Sequence, residues 1–279
     1  MRDHCGAEHA VGFLLRLVGD ETADRVRARI GLPGPEHPSV VRRRLQRPWM
    51  WSGELPSSVL LWVLEQDDPE LNALIWPYIP TDSGLRRAVA RGVPFGPGRT
   101  EAVPVDDRLK DQESVVPTSY VHHGLVGALR AVGGMRAARR AASMVLTRSD
   151  WRTVTEADHE RPLPGFARWA LAVRPDCPPA LRTQFGSHRK FTHRLCQAGV
   201  LDGPAEYATS YGPAASVLQV LSLGHVLFPA RVQEAAEALR PCVHDHLGDR
   251  EEAWAVLARL VGRHHGNVPQ LVLAAGALA

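Results

Sequence analysis

The chain has 279 residues, with 33 Lys plus Arg against 30 Asp plus Glu, 44% hydrophobic residues and 6% aromatic residues. This composition can bury a substantial core, and it excludes collagen-like, wholly disordered and membrane-spanning classes. A formal charge of +3 is too small to steer a polyanion by bulk field, so any nucleic-acid contact must come from a local patch.

At the amino end, Val11-Gly12-Phe13-Leu14-Leu15 is cut by Arg16 before a secretory apolar core forms. No apolar run approaches the ~18 residues of a spanning helix. Cys5, Cys177, Cys196 and Cys242 are widely spaced and form no C-x-x-C pair. The expectation is a cytoplasmic protein with reduced thiols and no membrane partner.

Helix-period patterns recur along the chain, and alternating β-branched runs are almost absent. Asp20 to Ile30 places acids in the first turns and arginines later, matching the helix dipole, and Gly31-Leu32-Pro33 stops it. Arg42-Arg43-Arg44-Leu45-Gln46-Arg47-Pro48-Trp49-Met50-Trp51 then joins four arginines to two tryptophans, able to contact phosphates and stack on a base. Ser57 to Gln66 predicts a short apolar helix. Asp68-Pro69 supplies an N-cap and a first-turn proline for a helix that runs to Pro77, and Asp82 opens a third helix that Gly92 ends.

Residues 93–117 read as a long irregular loop of Pro, Gly and charge. Helices resume at Tyr120–Val132 and Met135–Leu146. On the second of these, Arg136, Arg139 and Arg140 share one face, and Ala138, Ala141, Ala142 and Val145 share the other.

An internal repeat organises the middle of the chain. Trp62 recurs as Trp169, Arg87 as Arg194, and the Gly92–Pro97 frame as Gly199–Pro204, at one offset of 107; a partial third copy opens at Trp254. The fold predicted is all-α, with stacked helical repeats in an α-solenoid-like, HEAT-like arrangement. An N-terminal cap spans 1–54, a first unit 55–162 and a second 163–279, all within one continuous structural domain. Trp62, Trp169 and Trp254 are expected as equivalent interior plugs.

The Trp-bearing helix, the Asp68-Pro69-Glu70-Leu71 turn, the Leu85 to Gly96 segment and the Glu252 to Leu271 ending resemble uncharacterised helical-repeat proteins of actinobacteria, which are loosely similar to HEAT and leucine-rich-variant repeats. The likeness spans most of 55–279. It implies a fold and no particular activity.

Of the thirteen histidines, the densest set is Cys242, His244 and His246 beside Asp245, suitable zinc donors in type. Neighbours two apart on a helix point about 200° away from each other, so the alternative is a solvated turn after Pro241. His188 and His193 are five apart, not the four of a helical zinc pair, and His122-His123 read as a cap region with one inward ring. Gly96-Pro97-Gly98-Arg99 and Gly133-Gly134-Met135 follow no strand and lack the Lys-Ser/Thr of a phosphate loop, so no cofactor or metal is expected.

No catalytic constellation emerges, and the expected function is a non-catalytic adaptor or scaffold that binds a protein partner. The alternative is nucleic-acid binding, through Arg42, Arg43, Arg44, Arg47, Trp49 and Trp51 or through Arg136, Arg139 and Arg140, with some likeness to HEAT-type DNA glycosylases. A third reading is a small-molecule enzyme with a pocket between helical layers.

Overall fold

The computed structural model describes residues 2–45, 55–81, 83–110, 112–186 and 189–279. Among the described residues the secondary structure is entirely helical: 17 α-helices joined by turns and short 3₁₀ segments, with no strand. The all-α architecture expected from helix-period patterning is what the chain adopts. Among the described residues, no helix is long and apolar enough to cross a membrane.

The contacts group the chain into two compact units, one of Met1–Gly53 with Asp202–Ala279, the other of Glu54–Leu201. The first begins with α1 (Arg2–Leu14), α2 (Asp20–Ile30) and α3 (Pro38–Leu45). The acidic start of α2 and its Arg27 and Arg29 end suit the dipole, and Gly31 closes it in the left-handed region at φ 68°.

The second unit holds α4 (Ser57–Leu64), α5 (Pro69–Ile75), α6 (Gly84–Ala90), α7 (Thr118–Arg130), α8 (Met135–Ala142), α9 (Arg148–Glu160), α10 (Gly165–Ala172), α11 (Pro179–Gln184) and α12 (Arg189–Gln197). Asp68 caps α5 by accepting from the Glu70 and Leu71 amides at 2.9 and 3.3 Å. The N-cap of α6 is Ser83 rather than the expected Asp82, and its hydroxyl accepts from Leu85 N.

The triplet α4–α6 has the same local grammar as α10–α12. Each begins after a proline of nearly identical backbone, Pro56 at φ −54°, ψ 141° and Pro164 at φ −54°, ψ 145°. Each ends on a left-handed glycine, Gly92 or Gly199, where the next amide reaches back five residues: Val93 N to Ala88 O at 2.9 Å, Val200 N to Leu195 O at 3.1 Å. The contact grouping nevertheless differs from a division at 162/163, because α8 packs on α10 across that point.

Between α6 and α7 the chain is irregular, as expected for 93–117, yet it is pinned. The Asp67 carboxylate accepts from the Phe95 and Gly96 amides at 2.8 and 3.1 Å. Buried Arg87 donates to Glu113 at 2.5 Å and to the Ser114 and Val115 carbonyls. Trp76 Nε1 donates to Gln112 at 3.0 Å. Beyond the loop, α7 breaks at Gly124, whose φ of 64° is outside helical space.

The first unit is completed by α13 (Pro204–Ser210), α14 (Ala214–Leu227), α15 (Pro229–His246), α16 (Glu251–Leu260) and α17 (Val268–Leu278). Here α1 lies on α14, α13 on α15, and α16 on α17. Each fully buried Leu or Val contributes about 1.5–3 kcal/mol, and α14 alone buries Val217, Leu218, Leu221, Leu223 and Leu227.

The three tryptophans are not equivalent plugs. Trp254 is fully buried, its Nε1 donating to Gly248 O at 3.0 Å, and Trp62 is buried. Trp169 is only half-buried. Likewise Arg87 is interior, whereas its counterpart Arg194 is exposed. The repeat preserves helix order and capping, while the chain packed around each copy differs.

Candidate functional site

The helix α8 has the sequence Met-Arg-Ala-Ala-Arg-Arg-Ala-Ala, which sorts itself by period: Ala138, Ala141 and Ala142 are buried, while Arg136, Arg139 and Arg140 are exposed. Methyl-sized side chains on the inner face let α10 approach closely, and its Ala167, Ala170 and Leu171 meet them. Leu129, Val145, Trp151, Val154, Leu163 and Leu181 complete the core below.

At the edge of this core the Trp169 indole receives two guanidinium groups. The Arg139 guanidinium carbon, from α8, lies 5.5 Å from the ring centroid, and that of Arg194, from α12, lies 5.6 Å away. Cation–π attraction holds each arginine near the ring. Two positive charges on one indole also repel each other, and among the described residues Arg136, Arg139, Arg140 and Arg194 have no ion-pair partner. The Trp169 Nε1 donor is buried and likewise has no acceptor.

The surrounding charge is one-sided. Residues 130–201 contain thirteen Arg or Lys and five Asp or Glu. Three of those acids are already committed. Asp158, its side chain wholly buried, accepts from Arg168 at 2.8 and 3.0 Å, from Leu163 N at 2.8 Å and from Gln184 at 2.7 Å. Burial alone would raise the Asp158 pKa, but these donors, Arg168 first, outweigh it and hold the carboxyl below its usual range. Asp176 takes Arg174, and Asp150 completes the capping box of α9 with Thr147. The exposed acids left are Glu156 and Glu160. The helices α8, α10 and α12 contain no acidic residue at all.

An Arg–Trp–Arg cluster without a counter-charge is chemically an acceptor-seeking surface. Guanidinium groups match carboxylate and phosphate geometry and bind either by charge-assisted hydrogen bonds.

The other expected residues are placed differently. Arg42 and Arg43 are exposed on α3; the Arg44 side chain, Arg47, Trp49 and Trp51 lie outside the described residues. Cys242, His244 and His246 sit on α15, which continues through Pro241, so the solvated turn expected there is a helix. Burial, then Asp245, raises the Cys242 thiol pKa. Among the described residues no group of three or more His, Cys, Asp or Glu converges as a metal would require. His122 and His123 are both exposed, correcting the expectation of one inward ring, and their rings lie 6.2 Å apart. His193 is exposed on α12, and His188 lies outside the described residues. Burial pushes the Cys177 thiol up to about 12, which keeps it protonated and unreactive.

In the sequence, Trp169 reads as a core residue and Arg194 as part of the repeat frame. One local signal distinguishes them: α10 carries Arg168 beside its tryptophan, whereas α4 (Ser-Ser-Val-Leu-Leu-Trp-Val-Leu) has no charged residue. Comparisons of the chain with protein families, with curated proteins and with solved structures gave no match.

Proposed function

We propose that the chain is a helical-repeat adaptor, a binding protein rather than a catalyst, which takes an acidic segment of a partner protein on the face made by α8, α10 and α12. The observation that carries this reading is the convergence of Arg139 and Arg194 on Trp169 with no counter-anion among the described residues. A carboxylate held there gains charge-assisted bonds to both guanidinium groups and relieves their repulsion. Repeated helix triplets of the HEAT-like kind present such faces as a by-product of stacking. A cytoplasmic setting goes with this reading.

The test is fluorescence anisotropy of a labelled Glu-rich peptide on the full chain at low ionic strength. The R139Q/R194Q double variant should bind at least about tenfold more weakly, about 1.4 kcal/mol, with an unchanged urea midpoint. Changing Arg42 and Arg43 to Gln should leave affinity as it is. No binding, or equal binding by the double variant, would overturn the reading.

The charge balance of 130–201 favours a second reading, in which the anion is a nucleic-acid backbone. Two guanidinium groups already attend the Trp169 ring, so here the arginines contact phosphates and carry no base specificity. Duplex DNA would then bind more tightly than the peptide at equal salt. Its affinity would fall steeply with salt, each lost phosphate contact reducing the logarithmic slope by about 0.9. The same measurement on a triple Arg43, Arg44 and Arg47 to Ala variant tests whether the first arginine run takes part.

A further inference from the structure

A cleft of about 220 Å³ opens in the unit of Met1–Gly53 and Asp202–Ala279, independent of the face described above. It is walled by α1, by α2 with the turn that follows it, by α3 and by α14, and buried Phe13, Val41 and Leu223 supply its apolar lining. Gly12 forms part of the wall without a side chain, and a β-carbon there would meet nothing within 4 Å. The space is therefore not one that a neighbouring side chain fills.

Two cations share this cleft. Arg27 gives one bond to Asp24 at 3.0 Å and keeps its remaining donors. Arg16 has no hydrogen bond or ion pair among the described residues. Arg16 is an exposed residue; partial desolvation at the cleft lowers its pKa, and the like charge of Arg27 lowers it further. On α14, His225 Nδ1 lies 2.9 Å from the Ser222 carbonyl, which assigns the proton to Nδ1 and leaves Nε2 as an acceptor; that atom is buried and has no partner. Burial, then Arg16, holds His225 below its usual pKa and so neutral at pH 7. Glu8, His9 and Glu36 are the remaining titratable groups of the lining, and Glu36 and His9 have partners of their own.

We propose that this cleft binds a small phosphorylated molecule, its phosphate between Arg16 and Arg27 and its apolar part against Phe13, Val41 and Leu223. A tetrahedral dianion offsets two positive charges and accepts from two guanidinium forks at once, which a planar monoanionic carboxylate does less well. A dianion beside His225 also stabilises the imidazolium, so binding draws a proton onto Nε2, and the orphaned atom gains a partner.

The test uses the full chain with phenyl phosphate, inorganic phosphate and acetate as probes, followed by calorimetry and by the NMR titration of His225. Phenyl phosphate should bind about tenfold or more tighter than inorganic phosphate, because its ring buries apolar surface. Both phosphates should raise the His225 titration midpoint, and acetate should do so weakly or not at all. R16Q should lose at least about tenfold in phosphate affinity. A β-carbon at Gly12 meets no packed atom within 4 Å, so G12V should fold like wild type and exclude phenyl phosphate. A wild-type chain that ignores both phosphates, acetate binding as tight as phosphate, or R16Q and G12V binding like wild type would each overturn the proposal.

Discussion

Arg174 lies across the α-carbon of Gly84: a β-carbon on that glycine would sit 2.3 Å from the guanidinium Nη1. The guanidinium has little room to yield. Asp176 accepts from it at 2.9 and 2.6 Å, the Ala142 carbonyl accepts from Nη1, and the Trp151 ring lies 4.9 Å away. Alanine at Gly84 would gain at most about 1 kcal/mol of helix propensity, and it displaces a buried, paired cation. We expect G84A to cost about 2 kcal/mol, read as a lower urea midpoint. A midpoint at or above that of wild type would show that the cation steps aside freely.

Gly92 and Gly199 close the two helix triplets, and both combine a positive φ with close backbone. A β-carbon at Gly92 would lie 2.3 Å from Val103 O, and one at Gly199 2.9 Å from Ser57 N. Alanine at an open left-handed position costs about 1 kcal/mol. Here backbone must move as well, so G92A and G199A should each cost about 2–4 kcal/mol. Gly31 has the same φ region but no atom near its missing β-carbon, so G31A is the internal control and should cost only the smaller amount. Equal losses at all three sites would remove the backbone-contact argument.

Acid should destabilise the protein through two paired carboxylates. Burial works to raise Glu113, but the bonds from Arg91 and Arg87 outweigh it, and Asp158 is held low in the same way by Arg168, Leu163 and Gln184. In the unfolded chain such groups titrate near 4. Their folded pKa values lie lower, so their stabilisation is complete above that range and is lost as pH falls through the folded values. The contribution of these two carboxylates to the unfolding free energy should be flat from about pH 6 down to 5 and drop below about pH 4, and D158N or E113Q should flatten that drop. A variant that keeps the full wild-type slope would contradict this assignment.

The 93–117 segment is held at its far end by Arg87 and Arg91 on Glu113. Removing that carboxylate leaves Arg87 buried without its charge partner, a loss of about 2–4 kcal/mol when local relaxation is incomplete. E113A should therefore raise tryptic cleavage after Arg99, Arg108 or Lys110 well before global unfolding. If cleavage there stayed at the wild-type rate, the anchor would be decorative.

Features governed by neighbours in sequence were legible without coordinates. Asp68-Pro69 caps a helix because the side chain and the ring act within one turn, and Gly31 and Gly92 stop helices because their own φ allows it. The alanine and arginine faces of α8 follow from period alone. Trp169 was not legible, since a matching offset marks a shared helix position and says nothing of what covers it. Nor was Pro241, which reads as a breaker. It lies exposed in α15, so the carbonyl bond it forfeits faces water, and the helix tolerates it. The meeting of Arg139 from α8 with Arg194 from α12 depends on the packing of three helices, which no local pattern encodes.

Arginine-selective labelling with phenylglyoxal, read by mass spectrometry with and without a bound Glu-rich peptide or duplex DNA, addresses the binding face most directly. Arg136, Arg139, Arg140 and Arg194 are exposed and should label readily, while buried Arg87 and Arg174 serve as slow controls. Bound polyanion should protect Arg139 and Arg194 several-fold, with little change at exposed Arg152. A polyanion that binds the chain and leaves both arginines as reactive as before would place the interface elsewhere and contradict the account.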